Sequence, residues 1–157
     1  MKKRIAISIF VLIIFGISYI VLSNIFPQEN SPADDEILLH IQLDTKQDIG
    51  LIVFDYQTEN HEYSGGISNA DKSLIKCDSD NIQVWNKQEL NSSSDAVEMS
   101  IRFRIITDYV DPNYDNIYPE ELTKYTDAMS WKAYFGESYF ITITGDKNTG
   151  YKAVLNR

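Results

Sequence analysis

From Ile5 to Phe26 the chain reads IAISIFVLIIFGISYIVLSNIF, 22 residues with no ionisable side chain except Tyr19. As a helix this run reaches about 33 Å, against a hydrocarbon core of about 30 Å. A helix in a soluble core shows a polar stripe every three to four residues, and this run has none. Lys2, Lys3 and Arg4 precede it, and no acid occurs before Glu29. The positive-inside bias therefore predicts a cytoplasmic N-terminus over 1–4, a transmembrane signal-anchor helix over 5–26 and an extracytoplasmic remainder. A cleaved secretory signal has the same basic start, but its apolar region is about 7–15 residues long and ends in small residues. Here Ile5–Leu22 is already 18 residues, the only passable cleavage pattern is Val21-Leu22-Ser23, and no cysteine comes after it that would carry a lipid anchor. Anchor and cleaved signal export the same domain, to the cell membrane in the first case and as a secreted protein in the second.

Charge is unevenly distributed. The 157 residues carry 23 acids and 14 bases, a net charge of −9. Three of the bases precede the apolar run, so the chain beyond it holds 11 bases against all 23 acids. Nucleic acid is a poor partner for such a surface, because a binder must neutralise phosphates with clustered Lys and Arg. The single cysteine rules out an intrachain disulfide and a multi-cysteine zinc site. The length suits one domain after the anchor. Pro27–Asp35, PQENSPADD, holds two of the four prolines and reads as a short stiff linker over 27–35.

Over 36–157 the hydrophobic pattern has period two, the mark of half-buried strands. Ile37, Leu39, Ile41 and Leu43 share one face and Glu36, His40, Gln42 and Asp44 the other, with Leu38 the intruder. Val97, Met99, Ile101, Phe103 and Ile105 alternate with Glu98, Ser100, Arg102 and Arg104. Tyr139, Ile141 and Ile143 alternate with Ser138, Thr142 and Thr144. Leu51–Phe54 is a continuous apolar run, which predicts a strand covered on both sides. Ile82–Trp85, Met129–Phe135 and Tyr151–Leu155 carry weaker patterns. Thr45–Asp48 is a hairpin-length gap, and Gly145–Gly150 places a glycine at each end of a turn. About seven strands without a long helical pattern predict an all-β domain, an antiparallel β-sandwich or partly open barrel.

Two polar connections invite functional readings. Asp108–Thr126 contains Pro112, Pro119, five carboxylates and four tyrosines. Loops this long in compact domains are often functional. Asp108, Asp111, Asp115 and Glu120 offer oxygen to a hard cation such as calcium, although the calcium-loop spacing of alternating acids followed by glycine is absent. Tyr109, Tyr114 and Tyr118 offer large, rigid contact area at small entropic cost. These seven residues form the expected interaction loop. Pro119-Glu120-Glu121-Leu122 suits a helix start, with proline in the first turn and acids at the positive end of the dipole. Ser64–Ser73 is a second polar connection, read as a surface loop; it lacks the glycine to Lys-Ser spacing of a phosphate loop.

Catalytic constellations are sparse. His40 and His61 are 21 residues apart, which fits neither a close helical metal pair nor a histidine-rich run. His40 falls on a polar strand face and is expected at the surface. Ser73-Leu74-Ile75-Lys76-Cys77 resembles, in its leucine and cysteine, the Thr-Leu-x-Thr-Cys strand end of sortases, membrane-anchored β-barrel transpeptidases. The resemblance covers five residues and implies Cys77 as nucleophile, His61 as proton carrier, and Arg102 or Arg104 beside the oxyanion. Against it, His61 lies only 16 residues before Cys77, and Asp78 and Asp80 follow the cysteine at once, the reverse of the cationic setting a reactive thiolate wants. Trp85, expected opposite Ile82 and Val84, would be an exposed platform for a sugar ring, and Trp131 a core residue.

The expectation is therefore a membrane-anchored, extracytoplasmic, acidic β domain. It is expected to be non-enzymatic, to need no cofactor and to bind an envelope or secreted protein or peptide. A sortase-like thiol enzyme and a carbohydrate- or calcium-binding β-sandwich are the alternatives.

Overall fold

The computed structural model describes residues 31–59, 61–108 and 119–156. The linker up to residue 30 and the anchor over 5–26 lie outside these residues. Among the described residues no helix is long and apolar enough to cross a membrane.

Nine strands form two sheets: β1 (Glu36–Thr45), β2 (Leu51–Gln57), β3 (Glu62–Ile67), β4 (Asp80–Asn86), β5 (Ala96–Ile106), β6 (Thr123–Tyr125), β7 (Met129–Tyr134), β8 (Glu137–Asp146) and β9 (Gly150–Asn156). One sheet has the order β4-β1-β8-β9; the other runs β3-β2-β5, with β6 and β7 both paired to β5. The result is a β-sandwich-like all-β fold. The only helix among the described residues is a single 3₁₀ turn at Glu120–Leu122, preceded by Pro119 as the sequence suggests.

The core lies where the alternation places it. Ile37, Leu39, Ile41 and Leu43 from β1 meet Val97, Met99, Ile101, Phe103 and Ile105 from β5, joined by Ile141 and Ile143 from β8. β2 is covered on both sides, as its continuous apolar run requires. Ile52 and Phe54 face the core, while Val53 packs outward with Ile106, Leu51 and Leu122. Gly145 and Gly150, at φ +115° and +87°, close the β8–β9 hairpin in backbone conformations that L side chains rarely adopt.

Four expectations need correction. First, the described residues form nine strands rather than about seven. β6 and all of β3 but Glu62 and Tyr63 fall inside the stretches read as loops, because EYSGGI has two glycines and little apolar alternation and TKY is only three residues long. Second, the domain is not wholly antiparallel: β1 and β8 run parallel, Ile37 beside Glu137. The Phe135-Gly136 link carries the chain from one sheet to the other, and the Gly136 amide donates to the Glu36 carbonyl at 2.7 Å. That bond sets the starting ends of the two strands side by side. Third, Thr45–Asp48 closes no hairpin. β1 and β2 lie in different sheets, and the gap is an arch. Its Ile49 bridges Ile75, and its Gly50 passes the Asp108 carbonyl so closely that an added Cβ would lie 1.8 Å from that oxygen.

Fourth, Trp85 is no exposed platform. It is opposite Ile82 and Val84 as expected, but the phase is inverted: Trp85 is 2% exposed, Ile82 42% and Val84 38%. An indole removes more apolar surface from water than either aliphatic chain, so burial favours the frame that turns the ring inward.

Candidate functional site

The sandwich has two lateral seams, where the edge of one sheet faces the edge of the other. At one seam β6 approaches β9. At the other, between edge strands β3 and β4, a cleft of about 360 Å³ opens, lined by Phe54, Tyr56, Tyr63, Ser64, Gly65, Gln83, Trp85 and Glu89.

The β2–β3 hairpin builds its aromatic wall. Register sets Tyr56 directly opposite Tyr63, and their rings stack 4.9 Å apart at 12°. Trp85 reaches in from β4, 4.9 Å from Tyr56 at 51° and edge-on to Phe54 at 6.2 Å and 82°. Gly65, opposite Phe54 in the register, leaves room for the phenyl ring. Burial pushes the Tyr56 phenol above its usual range; Trp85 works against this, and the charges of Tyr63 and Glu89 add to it.

Glu89 is the one charged residue among those lining the cleft. Its carboxylate accepts the Asn86 amide at 3.0 Å, while the Asn86 side-chain oxygen accepts the Glu89 amide at 2.9 Å. This reciprocal pair has the logic of a capping box and holds the turn after β4 in place.

On the outer face of the same hairpin lies a polar groove of about 540 Å³, which shares Tyr56, Tyr63 and Ser64 with the cleft. Asp55 is its centre. It accepts Arg104 Nη2 at 2.7 Å and Ser64 Oγ at 2.9 Å. Arg102 lies over the Tyr125 ring at 5.2 Å, and the hydroxyls of Ser100 and Ser130 meet at 3.0 Å. The β6–β7 edge beyond is interrupted at Thr126–Ala128. There the Phe103 amide, which has lost its strand partner, donates to Thr126 Oγ1 at 3.1 Å. β3 thus has a cleft on one face and a groove on the other.

The residues singled out in the sequence are dispersed. Of the expected interaction loop, Asp108 and Glu120 are exposed, and Tyr109, Asp111, Tyr114, Asp115 and Tyr118 lie outside the described residues. Among the described residues no group of three or more His, Cys, Asp or Glu is arranged to hold a metal ion.

Cys77 and His61 are not brought together. Cys77 donates its amide to Asp48, just before β2, whereas His61 lies beyond the far end of β2, whose seven residues span about 20 Å. Burial, together with Asp48 and Asp78, pushes the Cys77 thiol upward, away from the thiolate. Arg102 lines the outer groove, and Arg104 pairs with its Asp55.

His40 is more enclosed than a surface residue. Its side chain is 14% exposed, stacks on Phe140 at 4.4 Å and meets Asp80 at 2.8 Å. Trp131 is half-buried against the core, close to its expected place.

The aromatic cleft itself has no contiguous signature in the sequence. Tyr56 and Tyr63 sit symmetrically about the Gln57–Glu62 turn, and a hairpin reading of that turn pairs them. Trp85 comes from the other sheet, and no local signal announces its approach.

No family model and no curated protein matches the chain. Three chains of solved structures match it. One is pneumolysin, to which the chain is similar over 78% of its own length at 8% identity and a TM-score of 0.36. The chain corresponds to 23% of the length of that pneumolysin chain.

Proposed function

We propose that this protein is a membrane-anchored, extracytoplasmic binding module. In this reading it is non-enzymatic and takes an extended segment of an envelope or secreted protein along the edge of β3, which no strand among the described residues pairs. The apolar run over 5–26 and its basic flank support the location. The observation that carries the binding reading is the setting of β3: six unbroken edge residues flanked by an aromatic cleft and a polar groove.

In strand addition, main-chain hydrogen bonds supply affinity, and pockets for alternate side chains supply specificity. Side chains of an added strand alternate between the two faces of its sheet. A segment beside β3 would therefore place one set toward the cleft and the other toward the groove. Gly65-Gly66, in the middle of β3, presents backbone without side chains to hinder the approach.

The test uses the full-length chain in nanodiscs, panned against a phage-displayed library of random dodecapeptides. Hydrogen exchange is then compared with and without a selected peptide. Amides of Glu62–Ile67 are expected to slow on binding, while those of β9, the far edge of the other sheet, stay unchanged. Failure to select any peptide, or protection confined to another edge, overturns the reading. Protease added to intact cells is expected to remove a C-terminal tag, and removal only after lysis would refute the extracytoplasmic placement.

A further inference from the structure

The cleft beside β3 has a charge pattern as well as a shape. Its walls are the rings of Phe54, Tyr56, Tyr63 and Trp85, its neutral polar groups are Gln83 and Ser64, and its single charge is the carboxylate of Glu89. No Lys or Arg is among its lining residues.

We propose that the cleft receives the cationic side chain of an arginine or lysine carried by the extended segment that β3 binds. This rests on the strand-addition reading and names the residue that reading requires at the cleft position.

Three observations support it. The face of an aromatic ring carries negative potential, so a cation seated against it is attracted without the full desolvation penalty of a purely aliphatic pocket. Here Tyr56 and Tyr63, both half-buried, stack at 12° and offer their rings along one wall, while the buried Trp85 packs against Tyr56 and holds it in place. Second, Glu89 is anchored by its reciprocal bonds with Asn86, so a counter-charge stands ready at the mouth without further ordering. Third, the net charge has the same sign: Glu62 stands at the start of β3, and the whole chain carries −9, although Arg102 and the Arg104–Asp55 pair balance the groove on the other face. A cleft of about 360 Å³ has room for one long side chain.

The experiment uses the full-length chain in phosphatidylethanolamine nanodiscs, with empty discs as the blank. The probes are five fluorescent nonapeptides of Thr and Ser that differ only at the central residue: Arg, Lys, citrulline, Leu or Glu. Citrulline keeps the shape of arginine and removes its charge. Arg and Lys peptides are expected to bind about tenfold more tightly than citrulline and Leu peptides, with the Glu peptide weakest. Glu89→Gln, which retains an oxygen to accept the Asn86 amide, and Tyr63→Leu, which keeps apolar bulk and removes the ring, are each expected to erase most of the Arg-over-citrulline preference.

If the five peptides bind alike, or Leu binds best, the cation inference fails and the edge reading stands. If none binds, the edge reading fails and the inference goes with it. A preference for Arg that survives both substitutions overturns the assignment to this cleft. So does displacement of the Arg peptide by millimolar phosphocholine, which would make the cleft a headgroup site.

Discussion

Gly65 and Gly66 are neighbours in one strand, neither has a positive φ, and the structure predicts opposite outcomes when each becomes alanine. A Cβ at Gly65 would lie 2.4 Å from Phe54 Cζ and 2.5 Å from Cε2. Phe54 has little room to yield, being 1% exposed and packed against Trp85 and Tyr56. Inserting one carbon into a packed core costs about 1–3 kcal/mol. For a domain of this size that lowers the melting temperature by roughly 4–12 °C. A Cβ at Gly66 meets only Ile52 O at 3.7 Å and Leu51 Cδ1 at 3.8 Å, ordinary contacts. Gly66→Ala should therefore be neutral or stabilising by up to about 1 kcal/mol, because alanine restricts the unfolded chain. The assay is thermal unfolding of the full-length chain in detergent, followed by near-ultraviolet circular dichroism from the aromatic cluster. Phe54→Leu in the Gly65→Ala background removes the ring tip and relieves the clash, so the double variant should be about 1 kcal/mol more stable than the sum of its singles. A Gly65→Ala variant within about 0.5 kcal/mol of the parent, or strict additivity in the cycle, would refute the claim that Gly65 is there to admit Phe54.

Three further outcomes rest on single interactions. Thr126→Val leaves the buried Phe103 amide without its acceptor and should cost about 1–3 kcal/mol in denaturant unfolding, whereas Thr126→Ser should recover most of the loss. Asp146 is held well below the usual carboxylate range, first by the Lys46 ammonium and then by the Thr149 and Asn148 amides. Its stabilisation is therefore complete above the unfolded value of about 3.9 and is lost progressively as pH falls below it, so melting temperatures of the parent and Asp146→Asn should differ most at pH 7 and draw together between about pH 4 and pH 2 without yet meeting. Burial, with help from Glu137, pushes the Tyr139 phenol up to about 12, against the opposing Tyr134 amide. That contribution is present below about pH 10 and is lost as pH rises toward 12; absorbance at 295 nm should show a late-titrating tyrosine that Tyr139→Phe removes.

Strands with strict alternation were legible because burial of one face is enough to specify them. β1, β5 and β8 lie where Ile37–Leu43, Val97–Ile105 and Tyr139–Ile143 predict, and the glycines at 145 and 150 announce their hairpin. Pairing was not legible in the same way. Thr45–Asp48 has hairpin length, yet whether a short gap folds back or crosses to the facing sheet depends on the long-range contacts of Ile49 with Ile75 and of Gly50 with the strand end at Ile106. β3 escaped because Ser64, Gly65 and Gly66 carry no apolar signal; its place depends on Phe54 filling the space that Gly65 leaves. The candidate site straddles two sheets, so its aromatic residues are close only after folding, whereas the acidic tyrosine-rich stretch drew attention because it is contiguous.

The four edges of the two sheets are not equivalent. An unpaired strand edge invites association with other chains, and proteins blunt edges with charges, interruptions and covering groups. The β6–β7 edge is broken at Thr126–Ala128, and β9 carries Lys152 among its outward residues. On β4 the Gln83 side chain folds onto the Val84 carbonyl at 2.8 Å. Among the described residues β3 has none of these devices along its backbone, only Glu62 at its start. Two copies meeting edge to edge at β3 would bring Glu62 and Glu89 of each toward those of the other, and like charges so placed are repulsive. A basic segment meets the same groups with the opposite sign. In the strand-addition reading, therefore, the acids that oppose self-association at β3 are also the groups that select a cationic partner, and charge reversal at Glu89 (Glu89→Lys) should weaken basic peptides and favour acidic ones.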